Sequence, residues 1–271
     1  MPERLRQPLE RVGLMTQCPA AFAYVTLVAG LLAWTPAARA QTDEIQVYDA
    51  EITAAGKFNL TWHNNYTPSG RAQPAFSGGV VPDHALNGVP EWAYGVTDWF
   101  EAGTYLPVYT LTSDGRLLFD SVKLRALFVV PDAHDRTLFY GLNFELSYNT
   151  PHWEPSRFSG EMRPIIGAHL GRFDLIANPI LDTDFNGVGR LDFAPAARVA
   201  YNVSKKFAVA IENYADFGPL QHFKAASAQS QTLFGVLDYG SSSNGIEFGV
   251  GKGLTRATDS CVLKLMLMHD L

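Results

Sequence analysis

From residue 136 to its end, the chain repeats segments of about ten residues in which apolar and polar side chains alternate, separated by short turns. Between Leu138 and Tyr148 every second residue is large and apolar, whereas Asn143 and Glu145 are among the residues between them. Successive side chains of a strand point to opposite faces, so each segment has one apolar and one polar face. Soluble sheets share this pattern. The long repetition without helical segments instead predicts a barrel with its apolar face toward lipid and its polar face toward a lumen.

The first forty residues have the pattern of an export signal. A basic start precedes the apolar residues 20–34, and Ala38 and Ala40 are small residues at the two positions that a signal peptidase reads. We therefore expect residues 1–40 to be a signal peptide cleaved after Ala40, with either Met1 or Met15 as the start. The alternative is a membrane anchor helix, but the apolar run is shorter than the roughly 20 residues that a span needs.

Cleavage changes the charge and the cysteine content of the chain. Loss of four Arg and two Glu takes the net charge from −6 to −8, which argues against nucleic acid as a partner. Cys261 is then the only cysteine, so no intrachain disulfide can form. The mean hydropathy is −0.02, which excludes a bundle of membrane helices. A barrel remains compatible with this value, because its polar face offsets the apolar one.

The expected organisation is a periplasmic lead over residues 41–56 and a barrel over residues 57–271. Tight links at residues 101–103, 171–172 and 203–205 alternate with longer ones, including a Gly- and Pro-rich loop over 67–90. Short periplasmic turns, long outer loops and an even strand number are typical of outer-membrane barrels. The predicted fold class is all-β, a transmembrane antiparallel up-and-down β-barrel of about twelve strands. The predicted strands are 57–66, 91–99, 104–112, 119–130, 137–149, 158–170, 173–182, 190–202, 206–217, 232–239, 245–253 and 260–271.

Trp and Tyr residues near the predicted strand ends support the same fold. Such residues form girdles at the two membrane interfaces of outer-membrane barrels. The alternative is that they form the core of a β-sandwich. The residues concerned are Trp62, Tyr66, Trp92, Trp99, Tyr148 and Trp153.

One stretch of the sequence resembles a known protein family. Residues 91–103, with Tyr-Gly-Val-Thr-Asp at 94–98, resemble an early hairpin of the MetA-pathway-of-phenol-degradation group of outer-membrane transporters, and residues 201–214 are similar in their tight turn. The resemblance covers about residues 44–271. It implies a channel or transporter for small compounds, aromatic ones included, and assigns no functional residues. The chain departs from many such barrels in ending on Leu271 rather than on an aromatic residue.

Charged side chains of both signs fall on the predicted lumen face. Such an arrangement sets up a transverse field that selects small polar or zwitterionic solutes. Alternatively, opposed charges pair across the lumen and hold it shut, and the loop over 67–90 could fold inward as a constriction. The residues predicted to determine selectivity are Lys123, Arg125, Glu145, Glu161, Arg163, Arg190, Arg198 and Glu212.

Asp182, Asp184 and Asn186 look like the first half of a calcium-binding loop. The position that needs a bidentate Glu is Phe193, and Asn-Gly is a favoured turn, so we interpret the stretch as a turn, with calcium as the minority hypothesis. No other metal site and no cofactor is predicted.

The sequence therefore predicts an outer-membrane channel that passes small solutes by diffusion through a charged, partly occluded lumen. Its expected partners are the lipid bilayer, small-molecule solutes and the export and barrel-assembly machinery. A barrel without transport, acting in structure or surface binding, is the alternative. A lipid-modifying barrel enzyme is disfavoured, because no His-x-Ser pair lies on a strand and Ser147 and Ser159 fall on the lumen face. A soluble periplasmic β-sandwich is a further alternative.

Overall fold

The computed structural model describes residues 43–271. The predicted signal peptide, residues 1–40, and its cleavage site lie outside the described residues. Twelve antiparallel strands of about the length needed to cross a membrane make up most of the described chain. They are β1 (Phe58–Ser69), β2 (Leu86–Gly95), β3 (Phe100–Leu111), β4 (Leu117–Val129), β5 (Leu138–Asn149), β6 (Phe158–Leu170), β7 (Phe173–Asn178 and Leu181–Thr183), β8 (Asp192–Phe193 and Ala196–Ser204), β9 (Phe207–Asp216, with Gly218–Pro219), β10 (Ser230–Gly240), β11 (Asn244–Gly253) and β12 (Cys261–Asp270).

The sheet closes on itself. Each strand pairs with its neighbours in the chain, and the first strand pairs with the last from Asn59↔Asp270 to Tyr66↔Leu263. Closure gives every strand a partner on both sides, so no exposed edge is left for pairing with another chain. The predicted closed barrel of twelve strands is confirmed.

The two faces of the wall separate apolar from polar side chains. Outward-pointing residues such as Leu124 and Ile166 are 61% and 59% exposed, whereas Arg125, Asn143 and Glu212 point inward and are buried. A charge facing the bilayer midplane would cost about 2–4 kcal/mol, which accounts for the inward placement of the Arg125 and Glu212 side chains. No helix among residues 43–271 is long and apolar enough to cross a membrane.

The hairpin of β2 and β3 differs from the sequence prediction. Strand β2 ends at Gly95, and the turn is made where the backbone amides of Val96 and Thr97 both donate to the carbonyl of Phe100. Residues 101–103, which we expected to form a turn, therefore lie inside β3. Residues 101–103 instead pair with residues 93–95 of β2 and with residues 125–127 of β4, and this pairing on both sides outweighs the turn signal of Gly103.

The connections separate into two rims. The rim that holds the start of β1 and the end of β12 carries short links such as residues 171–172 and 205–206. The opposite rim carries longer connections, including residues 70–85, 150–157 and 220–229. By the rule that periplasmic turns are short, we call the first the inner rim and the second the outer rim.

Candidate functional site in the barrel lumen

Residues 43–56, the N-terminal segment, lie inside the barrel rather than before it as a periplasmic lead. Asp43 binds Lys123 of β4, Glu44 binds Arg163 of β6, and the amide of Thr53 donates to Glu101 of β3. A segment that contacts inward-pointing residues of so many strands can lie only in the lumen. The stretch has no strand alternation, so its position depends on partners that are distant in the sequence.

Tyr48 is the main anchor of the N-terminal segment. The guanidinium of Arg163 lies 4.3 Å from the centre of its ring and that of Arg125 lies 5.6 Å away, both within cation–π range. Its hydroxyl is 2.6 Å from the hydroxyl of Tyr105. Its backbone amide donates to the Asn178 side chain at 2.7 Å, and its carbonyl accepts from the same side chain at 3.0 Å. The segment is thus fixed at mid-lumen by both its side chain and its backbone.

Arg125 is the centre of one buried ion cluster. Its guanidinium binds Glu91 at 2.8 Å and also binds Glu101. His63 lies 3.0 Å from the other oxygen of Glu91. Glu91 and Glu101 were not predicted as lumen residues, because Glu91 lies at the start of a predicted strand and Glu101 in a predicted turn.

A second cluster joins the N-terminal segment to the wall of β4, β5 and β6. Lys123 binds Asp43 at 2.7 Å and Glu145 at 3.4 Å. Arg163 binds Glu161 at 2.6 Å and Glu44 at 2.9 Å. Here wall cations are neutralised partly by acids of the inserted segment, a pairing that strand patterns cannot reveal.

A third cluster lies on the side of β8 to β12. Arg198 binds Glu212, Asp238 and, at 3.2 Å, Glu247. Lys264 is fully buried and binds Glu212 and Glu247, the latter at 2.5 Å. Its ammonium also donates to the carbonyl of residue 45 at 3.2 Å, so this cluster holds the N-terminal segment as well.

Seven of the eight predicted selectivity residues belong to these clusters, and Arg190 does not. Arg190 lies in a 3-10 turn before β8, is 66% exposed in its side chain and binds Asp184 at 2.7 Å. The predicted strand began at residue 190, but β8 begins at Asp192, which leaves Arg190 in the outer connection.

The calcium hypothesis for residues 182–186 gains no support from the geometry. Asp184 binds the Arg190 guanidinium, and its other oxygen accepts from the backbone amide of Asn186 in a turn. Within residues 43–271, no group of three or more His, Cys, Asp or Glu side chains is placed to hold a metal ion.

Two cavities open toward the two rims, with the N-terminal segment between them. The outer vestibule has a volume of about 290 Å³ and the inner vestibule one of about 1240 Å³, and Gln46 is the only residue that lines both. Nine acidic and three basic residues line the outer vestibule. Ten acidic and five basic residues line the inner one. Both chambers therefore carry an excess of negative charge. The acids of the outer vestibule are Asp43, Glu44, Glu145, Glu154, Glu161, Asp182, Asp192, Asp216 and Asp259.

Outer connections shape the mouth of the outer vestibule. The loop over residues 70–85 contributes Arg71, which binds Asp259 of the adjacent connection between β11 and β12 at 3.3 Å. In the same loop the backbone amide of Gly70 donates to Asp83 at 2.7 Å, and this hydrogen bond holds the pKa of the Asp83 carboxyl below its usual value.

The four tryptophans of residues 43–271 divide between the two sides of the wall. Trp62, Trp92 and Trp99 are exposed on the outside of the barrel, where a membrane interface would meet them. The prediction that Trp153 belongs to an interfacial girdle is wrong. It is buried against Val89, because the connection after β5 folds back over the outer vestibule.

The fold and the charged lumen define the class of protein, a closed twelve-stranded barrel of the outer-membrane type. The chain is similar to the COG4313 outer membrane channel from Pseudomonas putida F1, with 12% identity, a TM-score of 0.53 and coverage of 84% of this chain and 100% of that one. It is also similar to the KdgM porin solved with disordered oligogalacturonate, with 10% identity, a TM-score of 0.48 and coverage of 78% and 98%. No protein family and no curated protein matches the sequence, so the MetA-pathway resemblance stays a prediction.

Proposed function

We propose that this protein is an outer-membrane channel that lets small solutes, cationic ones preferentially, diffuse through its lumen past the N-terminal segment. The observation that carries the proposal is the pair of vestibules, which open toward opposite rims and come together at Gln46. An excess of carboxylates on both sides lowers the energy of a cation in each chamber and raises that of an anion. The similarity to the COG4313 channel supports the fold on which this proposal is built.

The N-terminal segment supplies the constriction. It is held by Tyr48, by ion pairs to Lys123 and Arg163, and by the ammonium of Lys264. A barrel of twelve strands lies between eight-stranded barrels, whose lumen is filled by side chains, and sixteen-stranded open porins. In such a lumen one extended segment is enough to divide the pathway, so small unitary currents are expected.

The location and partners follow from the same proposal. The chain is exported by its predicted signal peptide, cleaved after Ala40, and inserted into the outer membrane by the barrel-assembly machinery. The exposed apolar belt then contacts the bilayer.

Single-channel recording in planar bilayers tests the function. Purified protein should conduct. In a tenfold KCl gradient, its reversal potential should have the sign expected for a cation-selective channel. Arg198→Glu removes a cation that faces three carboxylates and should increase cation preference, whereas Lys252→Glu makes the same change of charge at an exposed position of β11 that lines neither vestibule and should have a smaller effect. Protein that inserts but never conducts would refute the channel.

Selectivity gives a separate measurement. Arg125→Ala should also shift the reversal potential toward the value of an ideally cation-selective channel, because Glu91 and Glu101 lose their shared partner. A wild-type reversal potential of the sign for anions would refute the cation preference while leaving the channel itself standing.

A further inference from the structure

Four carboxylates lie side by side on the lumen face of four neighbouring strands. The register pairs Glu145 of β5 with Glu161 of β6. It pairs Glu161 in turn with Asp182 of β7, and Asp182 with Asp192 of β8. Directly paired residues project from the same face of a sheet, and all four line the outer vestibule. We call these four residues the acidic row. Neighbouring strands are about 4.8 Å apart, so the row extends over about 14 Å.

The acidic row carries more negative charge than the surrounding cations neutralise. Lys123 and Arg163 are the basic residues of the vestibule lining that bind it. Each of them also binds an acid of the N-terminal segment, Asp43 and Glu44 respectively. The third basic residue of this lining, Arg71, has its own ion pair at the mouth. Two cations thus serve six carboxylates, although like charges directly opposite each other destabilise a sheet.

Glu44 gives an independent sign that a ligand belongs beside the row. It comes from the N-terminal segment rather than from the wall, it lines the outer vestibule, and its side chain is 2% exposed. Arg163 joins it to the row, because this guanidinium binds Oε1 of Glu44 at 2.9 Å and both carboxylate oxygens of Glu161, at 2.6 and 3.0 Å. Oε2 of Glu44 is buried and accepts no hydrogen bond from residues 43–271. A buried acceptor without a donor costs free energy, so a ligand with an N–H group is stabilised there.

The geometry of the row selects the kind of cation. A compact metal ion needs several oxygens that converge on one point, and within residues 43–271 no group of three or more His, Cys, Asp or Glu side chains is placed in that way. The acidic row instead spreads its charges along a line. Two ammonium groups joined by three methylenes are about 5 Å apart when extended, because each bond is about 1.5 Å long. This spacing is close to the roughly 4.8 Å between neighbouring strands.

The lining beside the row also suits an alkyl chain. Ile180 and Ala194 line the outer vestibule, each two residues from an acid of the row and therefore on the same face of its strand. Methylenes between two ammonium groups can contact these apolar side chains, whereas a hydrated metal ion cannot use them. Alkyl ammonium groups resemble lysine, whose pKa is about 10.4, and are therefore charged at neutral pH.

From this juxtaposition we propose that linear aliphatic polyamines bind in the outer vestibule, extended along the acidic row, with one ammonium group donating to Oε2 of Glu44. The proposal deepens the proposed function and rests on it in one respect, since it names polyamines as the solutes that the channel takes up from its outer side. Binding itself requires only the vestibule.

Isothermal titration calorimetry tests the site, with spermidine as the probe and the purified protein in uncharged detergent. Spermidine should bind saturably at one site per barrel. Propylamine has the same chemistry with one charge, and Mg²⁺ has two charges on a compact ion, so each should bind about 100-fold more weakly. Absence of saturable spermidine binding, or Mg²⁺ binding as tight as that of spermidine, would overturn the proposal.

Variants locate the ligand. Asp182→Asn with Asp192→Asn, and separately Glu44→Gln, should each weaken spermidine binding about tenfold or more. Asp216→Asn is the matched control, because it makes the same change of charge in the same vestibule at a residue that is ion-paired with Lys224 and lies outside the row. If the double variant does not assemble, Glu44→Gln provides the test alone, since it leaves the wall unchanged. Equal weakening by Asp216→Asn would mean that the general field of the vestibule, and not the row, attracts the ligand.

Bilayer recordings separate this site from the channel. Spermidine added on the outer side should block the KCl current, and the row and Glu44 variants should relieve the block in proportion to their loss of binding. Saturable binding by a protein that never conducts would refute the channel and leave the site standing. Conductance without saturable binding would refute the site and leave the channel standing, and binding without block would refute the uptake of polyamines.

Discussion

A cation placed on the outside of the wall gives the most direct test of the orientation of this barrel. Leu124 lies near the middle of β4, points outward and is 61% exposed. Leu124→Arg would put a guanidinium near the bilayer midplane, where the expected cost is about 2–4 kcal/mol. That free energy lowers the folding equilibrium constant roughly 30- to 900-fold.

The same strand offers a control. Leu117 also points outward and is 71% exposed, but it lies at the outer end of β4. Arginine near the membrane interface costs only about 0–1 kcal/mol. The two variants have the same change of side chain and differ in depth alone, so their difference isolates the contribution of the bilayer.

The assay is guanidinium unfolding of the protein in phospholipid vesicles, followed by tryptophan fluorescence. Leu124→Arg should shift the midpoint to lower denaturant by clearly more than Leu117→Arg does. If the chain were a soluble sandwich, both positions would be exposed surface and each change would stay within about ±0.5 kcal/mol. Equal midpoints for the two variants in vesicles would refute the assignment of this face to lipid.

Three further perturbations probe the lumen and the outer loops. Lys264→Met leaves Glu212, Asp238 and Glu247 with Arg198 as the remaining cation of their cluster, so the cluster gains an uncompensated buried charge, and the barrel should lose about 3–5 kcal/mol in the same unfolding assay. Lys206→Met at an exposed turn should stay within about ±0.5 kcal/mol, and similar values for the two variants would contradict the buried cluster. Asn178→Ala removes both of its hydrogen bonds to the backbone of Tyr48 in the N-terminal segment, should cost about 1–3 kcal/mol and should raise unitary conductance; an unchanged current would mean that the segment is no constriction. The pKa of Asp83 is lowered by the amide of Gly70, so the stabilisation of its loop is present above the ordinary Asp pKa and lost as the pH falls through the lowered one; protease cleavage of this loop should rise on acidification, and Asp83→Asn should remove that dependence.

Much of the wall could be predicted from the sequence because alternation is a local property. The ranges predicted for β5 and β6 agree with the structure to within a residue, and the inward register of Lys123, Arg125 and Glu145 appears as predicted. The first hairpin was misplaced because a Gly-containing triplet looks like a turn wherever it falls. Only pairing with the neighbouring strand shows that residues 101–103 continue the ladder.

The partners of the lumen charges could not be predicted in the same way. A strand pattern shows that Arg163 points inward, but not that Glu44 reaches it from 119 residues away in the chain. The register that places prolines of neighbouring strands opposite each other could not be predicted from the sequence either. Pro164 lies inside the predicted strand 158–170, and only the strand register puts Pro179 opposite it.

The sequence by itself determined an all-β chain with one apolar and one polar face, because a side-chain period of two is written into each strand and needs no partner. The tertiary structure alone decided that residues 43–56 fill the lumen, which acids neutralise which cations, and which residues of neighbouring strands face each other. The physical reason is that closure of the sheet brings distant residues to fixed positions around a shared interior. Ion pairing and strand register are properties of those juxtapositions rather than of any one segment.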